Sequence, residues 1–285
     1  MGLRNANYTT WQRCKASTNA ERFRRAFCAT PLTVAQIWED LRSSTDEHIK
    51  LNEKAKPMHL LMALRFLAKY QSYQDLGSYF HIQSDTTVQK YVRYYVPRLS
   101  HLMKKRLLPL EEIDEGFILM LTIDGVHCPL QEQRPFSTDY SSHKRGGKPA
   151  ANYELGLCSW TDRIGWIKGP TKPGVMNDFQ VFRRELMGAL PEGRKVLGDD
   201  IYVGAPEYVI TKNDLDQYEI AQWKNRLLAR HENLNKRFKD FKVLREEFEH
   251  GVDNHGYAFY ACATVISYGL DNGSVDLLDP TPSMN

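Results

Sequence analysis

The sequence predicts an α/β protein in which an all-helical region precedes a mixed sheet with flanking helices. Up to about residue 110, apolar residues recur mainly at helical spacing. From Ile118 onward, short apolar runs separated by turn residues are typical of strands. In this second region the predicted order is strand, strand, strand, helix, strand, followed by a long helix. The length of 285 residues suits one large or two modest domains.

The helical region contains a pattern of two helices joined by a short turn. Ser72 caps a helix from Tyr73 to Phe80, and Ser84 to Thr87 cap the next helix, which Pro97 ends or bends. This is the helix-turn-helix plan, in which the second helix enters the DNA major groove with its N-terminal residues at the base edges. A plain helical bundle is the alternative. The candidate base contacts are Thr86, Thr87, Gln89, Lys90 and Arg93.

Positive charge is clustered, although the formal net charge is only +3. Residues 1–30 carry six Lys or Arg against one acid, and residues 90–106 carry six with no acid. Such clusters indicate a polyanionic partner, with a solvated helix face as the alternative. The predicted divisions are a basic N-terminal arm with a short helix (1–50), the helix-turn-helix region (51–110), the sheet region (111–279) and a tail (280–285).

Composition argues against several classes of protein. The 5 cysteines are widely spaced and form no C-x-x-C pair, which argues against a disulfide framework and against a zinc site. No apolar run reaches the roughly 18 residues of a membrane helix. The polar, basic N-terminus is unlike a signal peptide. We therefore expect a soluble, intracellular protein with no membrane contact.

The apolar run from Ile118 to Ile123 predicts a buried strand that ends at Asp124 and Gly125. An acid at a strand end lies where open α/β sheets bind ligands. Asp-Gly is equally a hairpin signal, so a turn is the alternative. The elements predicted beyond it are strands Tyr153–Trp160, Ile164–Lys168 and Lys195–Leu197, a helix capped by Asn177 or Asp178, a looping segment Val203–Asn213, and helices Asp214–Phe241 and Tyr257–Tyr268.

Three acids stand at the ends or on the faces of these elements. Asp124 follows the first strand, Asp199 follows the fourth, and Glu232 lies on the long helix. In an RNase H-like sheet the first and fourth strands are neighbours, so the three carboxylates can meet. Their repulsion calls for cations, and their hard oxygens suit Mg²⁺ or Mn²⁺. Two such ions can cleave a phosphodiester. Taken singly, each acid also has a purely structural interpretation. Asp124 could be a turn residue, Asp199 a polar strand-end residue, and Glu232 an ion-pair partner of Lys236.

From about Ile118 to Leu278 the chain resembles the DDE superfamily endonucleases of Harbinger-type transposases. The residues that carry this resemblance are Thr122–His127, Lys144 through Tyr153–Gly156, Gly165–Pro170, Asn177-Asp178 with Phe182, Gly198-Asp199 with Tyr202, Ala229–Asn233 leading into Lys236–Phe238, and His255-Gly256 with Phe259. In one departure, Asp200-Ile201 intervenes between Asp199 and Tyr202, where the family often has Gly before the Tyr.

The resemblance implies a nuclear, metal-dependent endonuclease or transposase that acts on DNA, at transposon ends or target sites. A second DNA-binding protein is a possible partner. The catalytic triad would be Asp124, Asp199 and Glu232, and Asp178 matches a further acid often counted among the metal ligands. Whether Asp178 or Asp199 is the second metal acid stays open, and so does a domesticated DNA-binding protein without activity. Further candidate DNA contacts, or residues of a solvated surface, are Lys144, Arg145, Lys148, Arg230 and Lys236.

Overall fold

The computed structural model describes residues 19–107, 109–113, 118–132, 137–211 and 218–278. Several predicted features therefore lie outside the described residues. These are the first part of the basic arm (1–18), residues 133–136 of the loop after the first strand, the predicted start of the long helix at Asp214, and the tail (280–285).

Helices form the first part of the fold, and their ends follow the capping residues. Thr30, Ser72 and Ser84 each accept a hydrogen bond from a first-turn amide of the helix that follows. Pro31 and Pro57 occupy first-turn positions, where the missing N–H costs nothing. The helices are α1 (residues 19–27), α2 (Pro31–Ser43), α3 (Pro57–Lys69), α4 (Tyr73–Phe80) and α5 (Asp85–Arg106).

The two predicted helices with caps at Ser72 and Ser84 are confirmed as helices. The turn between them closes through a hydrogen bond from the amide of Ile82 to the carbonyl of Gly77. Pro97 does not end α5, which continues to Arg106. Buried apolar side chains on one side of α5 hold its two halves in one helix.

The sheet has five strands in the order β3-β2-β1-β4-β5. β1 pairs antiparallel with β2 and parallel with β4, so the predicted mixed sheet with neighbouring first and fourth strands is confirmed. β5 corrects the predicted looping segment, because a short parallel pairing with β4 outweighs its weak strand pattern. The strands are β1 (Leu119–Pro129), β2 (Ala150–Cys158), β3 (Ile164–Thr171), β4 (Lys195–Gly198) and β5 (Val209–Thr211).

Asp124 is neither the last residue of its strand nor part of a turn, which corrects both readings of the sequence. β1 continues to Pro129 because β2 pairs with it throughout, Asp124 opposite Leu155 and Gly125 opposite Glu154. The parallel pairing with β4 is what ends here. Its last pair is Thr122 with Leu197, so Asp124 lies just beyond the point where β1 loses its β4 neighbour.

The helices after the sheet are α6 (Asp178–Val181), α7 (Tyr218–Asp240), α8 (Lys242–Arg245) and α9 (Val252–Asp271). Asn177, and not Asp178, caps α6, through a reciprocal capping box with Gln180. The helical path continues after α6 as a π-turn and a 3₁₀-turn to Ala189.

Helices cover both faces of the sheet. α7 and α9 pack on one face, where Val126 and Cys128 of β1 join a core that also contains residues of α2, α3 and α5. Ile123 faces the other side, toward Phe182 after α6. One hydrophobic core therefore crosses the predicted division at residue 110. Within the described part of the chain, no helix is both long and apolar enough to cross a membrane.

Candidate functional site

Two acids meet at the end of the parallel pairing between β1 and β4. Asp124 and Asp199 each lie two residues beyond Thr122 and Leu197, the last pair of the parallel β1–β4 ladder. Neighbouring strands lie about 4.8 Å apart, so the backbone places these residues side by side. The pKa of Asp199 is raised above its ordinary value, mainly because the side chain is partly buried. The hydrogen bond from the amide of Ile201 lowers this pKa, and the negative charge of Asp124 raises it. The two carboxylates therefore interact.

α7 fixes the orientation of Asp124. One carboxylate oxygen of Asp124 accepts from the amide of Gly125 at 2.7 Å, and the other from Nδ2 of Asn235 at 2.8 Å. One helical turn earlier, Nδ1 of buried His231 lies 2.8 Å from Oγ1 of Thr122. His231 and Asn235 of α7 thus contact Thr122 and Asp124 of β1 in turn, and these two contacts define the position of α7 along β1.

A third acid, Asp178, packs against the opposite face of β1. Asp178 is buried, with 3% of the residue exposed, and its side chain lies directly over Gly125. A Cβ added at Gly125 would come within 2.5 Å of Cγ of Asp178. The capping box at Asn177 fixes where α6 begins, and Asp178, the first residue of α6, is thereby positioned against Gly125. Glycine at position 125 is therefore required by the close approach of Asp178.

Buried Asp178 is stabilised as a carboxylate. It accepts from Nδ2 of Asn152 at 2.8 Å and from Nζ of Lys144 at 2.8 Å, and Nε2 of His127 lies 3.6 Å away, too far for a hydrogen bond. Burial by itself would raise the pKa of Asp178. His127 and the charge of Lys144 outweigh it and hold that pKa well below its usual range.

Lys144 connects Asp178 with Asp124. Its Nζ is 2.8 Å from Oδ2 of Asp178, 3.9 Å from Oδ1 of Asp124 and 3.4 Å from the carbonyl of Gly125. Burial lowers the pKa of the Lys144 amine, but Asp178 and Asp124 raise it by more. The pKa of Lys144 therefore lies above its ordinary value, and the amine is charged. The Lys144 loop is anchored by Ser142, whose Oγ lies 2.7 Å from Nδ1 of His127.

The structure brings the predicted triad together only in part. Glu232 lies on α7, as predicted, but on its exposed face, and Asn235 one turn later contacts Asp124 instead. Glu232 makes no hydrogen bond or ion pair with any other described residue. Across the described ranges, no three His, Cys, Asp or Glu side chains converge as a metal site would require.

The predicted base contacts lie at the start of α5. Thr86, Lys90 and Arg93 are exposed there, whereas Thr87 and Gln89 are half-buried. Thr86 and Thr87 also bond to the capping Ser84, so they help to begin the helix. This surface is accessible, and its role in base contact stays a prediction.

Of the other predicted DNA contacts, Arg230 has a structural role. It is 8% exposed, and its guanidinium donates to the carbonyls of Ser159 and Thr161 and to Asp162. A guanidinium engaged in this way is not free for a phosphate, which corrects the prediction. Lys148 and Lys236 are exposed on the surface.

The sequence patterns missed the support around the acids, namely His127, Asn152, Glu154 and Asn235. Buried Glu154 accepts from Nε1 of Trp166, and burial, with nearby Asp178 and Glu185, raises the pKa of Glu154 to about 8. One signal was available. His231 and Asn235 are polar residues at i and i+4 beside the apolar stripe of α7, a position that calls for buried partners.

The site thus offers two neighbouring carboxylates at an open sheet end, next to a buried aspartate and a charged lysine. Hard oxygen donors of this kind suit divalent cations, and the lysine suits a phosphate. Comparisons of the chain with protein-family models, with curated proteins and with solved structures found no match.

Proposed function

We propose that this protein is a divalent-metal-dependent DNA endonuclease or transposase of the DDE type, with Asp124, Asp199 and Glu232 at its catalytic site. The observation that carries the proposal is the placement of Asp124 and Asp199 just beyond the last parallel pair of β1 and β4, where the charge of Asp124 adds to burial in raising the pKa of Asp199. Carboxylates that repel one another become stable together when a cation binds between them.

The fold is compatible with this proposal. Neighbouring first and fourth strands are a feature of the RNase H-like core, and α7 follows them as the helix that carries the third acid. Upstream, α4 and α5 have the lengths and the short connection of a helix-turn-helix, and Lys90 and Arg93 are exposed in the N-terminal half of α5. We assign the α4–α5 pair to DNA binding.

The donors present fit Mg²⁺ or Mn²⁺ at Asp124 and Asp199. Asn235 adds an amide oxygen, Oδ1, which is buried and has no hydrogen-bond partner among the described residues. Glu232 has no partner there that holds it away from the site. A bound divalent cation would neutralise charge at a phosphodiester and acidify the attacking water.

The protein's own residues orient this chemistry. The amide of Gly125 and the side chain of Asn235 hold Asp124 in one rotamer, so little reorganisation is needed when a ligand arrives. Lys144 presents a positive charge between Asp124 and Asp178, where it can also neutralise a DNA phosphate. Asp178 acts in this arrangement as the buried anchor of Lys144.

The test is the nicking of supercoiled plasmid in Mg²⁺ or Mn²⁺. We expect nicking by the wild type that EDTA abolishes and that Asp124→Asn and Asp199→Asn reduce by at least about a hundredfold. Asp162→Asn is the control, because Asp162 pairs with Arg230 away from the site. Nicking that survives in Asp124→Asn would overturn the proposal.

The second candidate is a transposase-derived DNA-binding protein that does not cleave. Two observations favour it: Lys144 already bridges Asp124 and Asp178, and no trio of acids converges in the described part of the chain. It predicts tight binding of the plasmid with no nicking in either cation.

A further inference from the structure

A basic cleft begins at Asp124. The cleft has a volume of about 460 Å³, and Asp124 is the one acid among the described residues that line it. Four cationic side chains surround this acid: Lys144, Arg145, Lys239 and Arg245. Neither Lys239 nor Arg245 was singled out by any sequence motif.

A second basic cleft adjoins the first and shares Arg245 with it. This cleft has a volume of about 290 Å³ and is lined by Arg25, Lys69, Lys242 and Arg245, with Asp240 as its one acid among the described residues. Because Arg245 lines both clefts, they form one surface that leads from the carboxylates past the α7–α8 junction to α1 and the end of α3, with Asp240 as an acid along it. We call this surface the basic track.

Three cations of the basic track have no close ionic partner among the described residues, although the charge of Arg245 also lowers the pKa of nearby Asp240. The side chains of Lys69, Lys239 and Arg245 make no hydrogen bond or ion pair within 4 Å with another described residue, and Lys239 and Arg245 are exposed. Lys242, by contrast, pairs with Glu246 at 3.1 Å. Exposed cations crowded together repel one another, so an anion that spans them is bound favourably.

We propose that the basic track binds the sugar-phosphate backbone of DNA and leads it to Asp124 and Asp199. The inference rests on the proposed function, because it supplies the path of the strand that would be cut. A phosphodiester chain fits both ends of the basic track: regularly spaced charges meet the cations, and one phosphate reaches the carboxylates and Lys144. Contacts of this kind are independent of sequence and depend strongly on salt.

The test compares two variants with the same change in net charge. Lys239→Gln with Arg245→Gln alters the basic track, whereas Lys50→Gln with Lys54→Gln alters exposed lysines before the opposite end of α3. Binding of a labelled DNA duplex is measured in EDTA by fluorescence anisotropy over a series of salt concentrations. Thermal unfolding verifies that both variants are folded.

We expect the track variant to bind at least about tenfold more weakly, and its plot of log affinity against log salt to be shallower by about two, since each phosphate contact contributes about 0.9. The control should match the wild type. Equal binding by both variants, or no DNA binding by the wild type, would overturn the inference. EDTA prevents cleavage, so the binding measurement does not depend on nuclease activity. If the basic track binds DNA and the protein never nicks it, the inference stands and only the proposed nuclease function is overturned.

Discussion

At the scale of single residues, Gly125 has the most exacting environment in the site. The sequence predicts that the strand ends at Asp124 and Gly125, yet the chain stays in β1. What Gly125 provides is space for the carboxylate of Asp178. That contact joins residues 53 positions apart in different elements, and no local pattern in the sequence could reveal it.

Gly125→Ala tests this contact. The added methyl group would lie 2.5 Å from Cγ of Asp178, so Asp178 or β1 must shift, and we expect a loss of about 1–3 kcal/mol in the free energy of unfolding. Gly188→Ala is the matched control, because a Cβ there meets nothing within 4 Å. Urea unfolding measures both; equal stability of the two variants would contradict the account.

Lys144→Met tests the charge balance around Asp178. A depressed carboxyl pKa stabilises the fold above the unfolded value of about 3.9, and this stability is lost as the pH falls through the folded pKa. Without Lys144 the pKa of Asp178 rises, so the loss begins at higher pH. We expect destabilisation of about 1–2 kcal/mol at pH 7, less than for a fully buried pair because Lys144 is partly exposed. Acid unfolding followed by circular dichroism checks this, with Lys148→Met as the unaffected control.

Glu154→Gln tests the raised pKa of the buried acid. A folded pKa of about 8 lies above the unfolded value of about 4.3, so the fold should lose stability as the pH rises between these values. The slope for one such group is about 1.4 kcal/mol per pH unit. Glutamine mimics the protonated acid and should remove this slope. Urea unfolding at pH 5.5 and pH 8.5 gives the comparison, and the same pH dependence in both proteins would refute the raised pKa.

At the scale of elements, the capped helices were predictable and the side of α7 that contacts Asp124 was not. Thr30, Ser72 and Ser84 act on their own first turns, so local sequence is enough to place the helices. Which side of α7 meets Asp124 depends on how the helix rotates against the sheet. That rotation turns Asn235 inward and Glu232 outward.

Two residues of α7 should therefore respond differently to substitution. Glu232→Gln should abolish nicking while changing stability by no more than about 0.5 kcal/mol, because Glu232 is exposed. Asn235→Ala removes a partly buried hydrogen bond to Asp124, so we expect a loss of about 1 kcal/mol together with slower nicking. Plasmid nicking and thermal unfolding of both variants check the contrast, and full nicking by Glu232→Gln would remove Glu232 from the site.

In the sheet, too, features that depend on local sequence were predictable, and features that depend on pairing with a distant strand were not. The predicted succession of three strands, a helix and a fourth strand, together with the RNase H-like plan, was enough to place Asp124 near Asp199. β5 was missed, because a strand from Val209 to Thr211 exists only through its pairing with β4. The full length of β1 was missed for a similar reason, since its second half is defined by β2.

At the scale of the whole molecule, the helical region and the sheet share one core. Buried α9 lies against both α5 and β3, so the two predicted functional parts are packed together. The basic track depends on this packing, because it joins residues of α1 and α3 to residues of α7 and α8. Under the proposed function, DNA bound by the helical region would reach the carboxylates along this fixed surface, without a flexible linker.

The proposed function requires that Asp124 bind the cation that supports cleavage, and the Asp124→Cys variant tests that requirement. A thiolate is a soft ligand, which serves Mg²⁺ poorly and Mn²⁺ better. The measurement is the ratio of plasmid-nicking rates in Mn²⁺ and in Mg²⁺, for the wild type and for Asp124→Cys. We predict that the variant loses nicking in Mg²⁺ and keeps part of it in Mn²⁺, so its ratio rises at least about tenfold. Nicking by Asp124→Cys at the wild-type rate in Mg²⁺ would contradict this requirement.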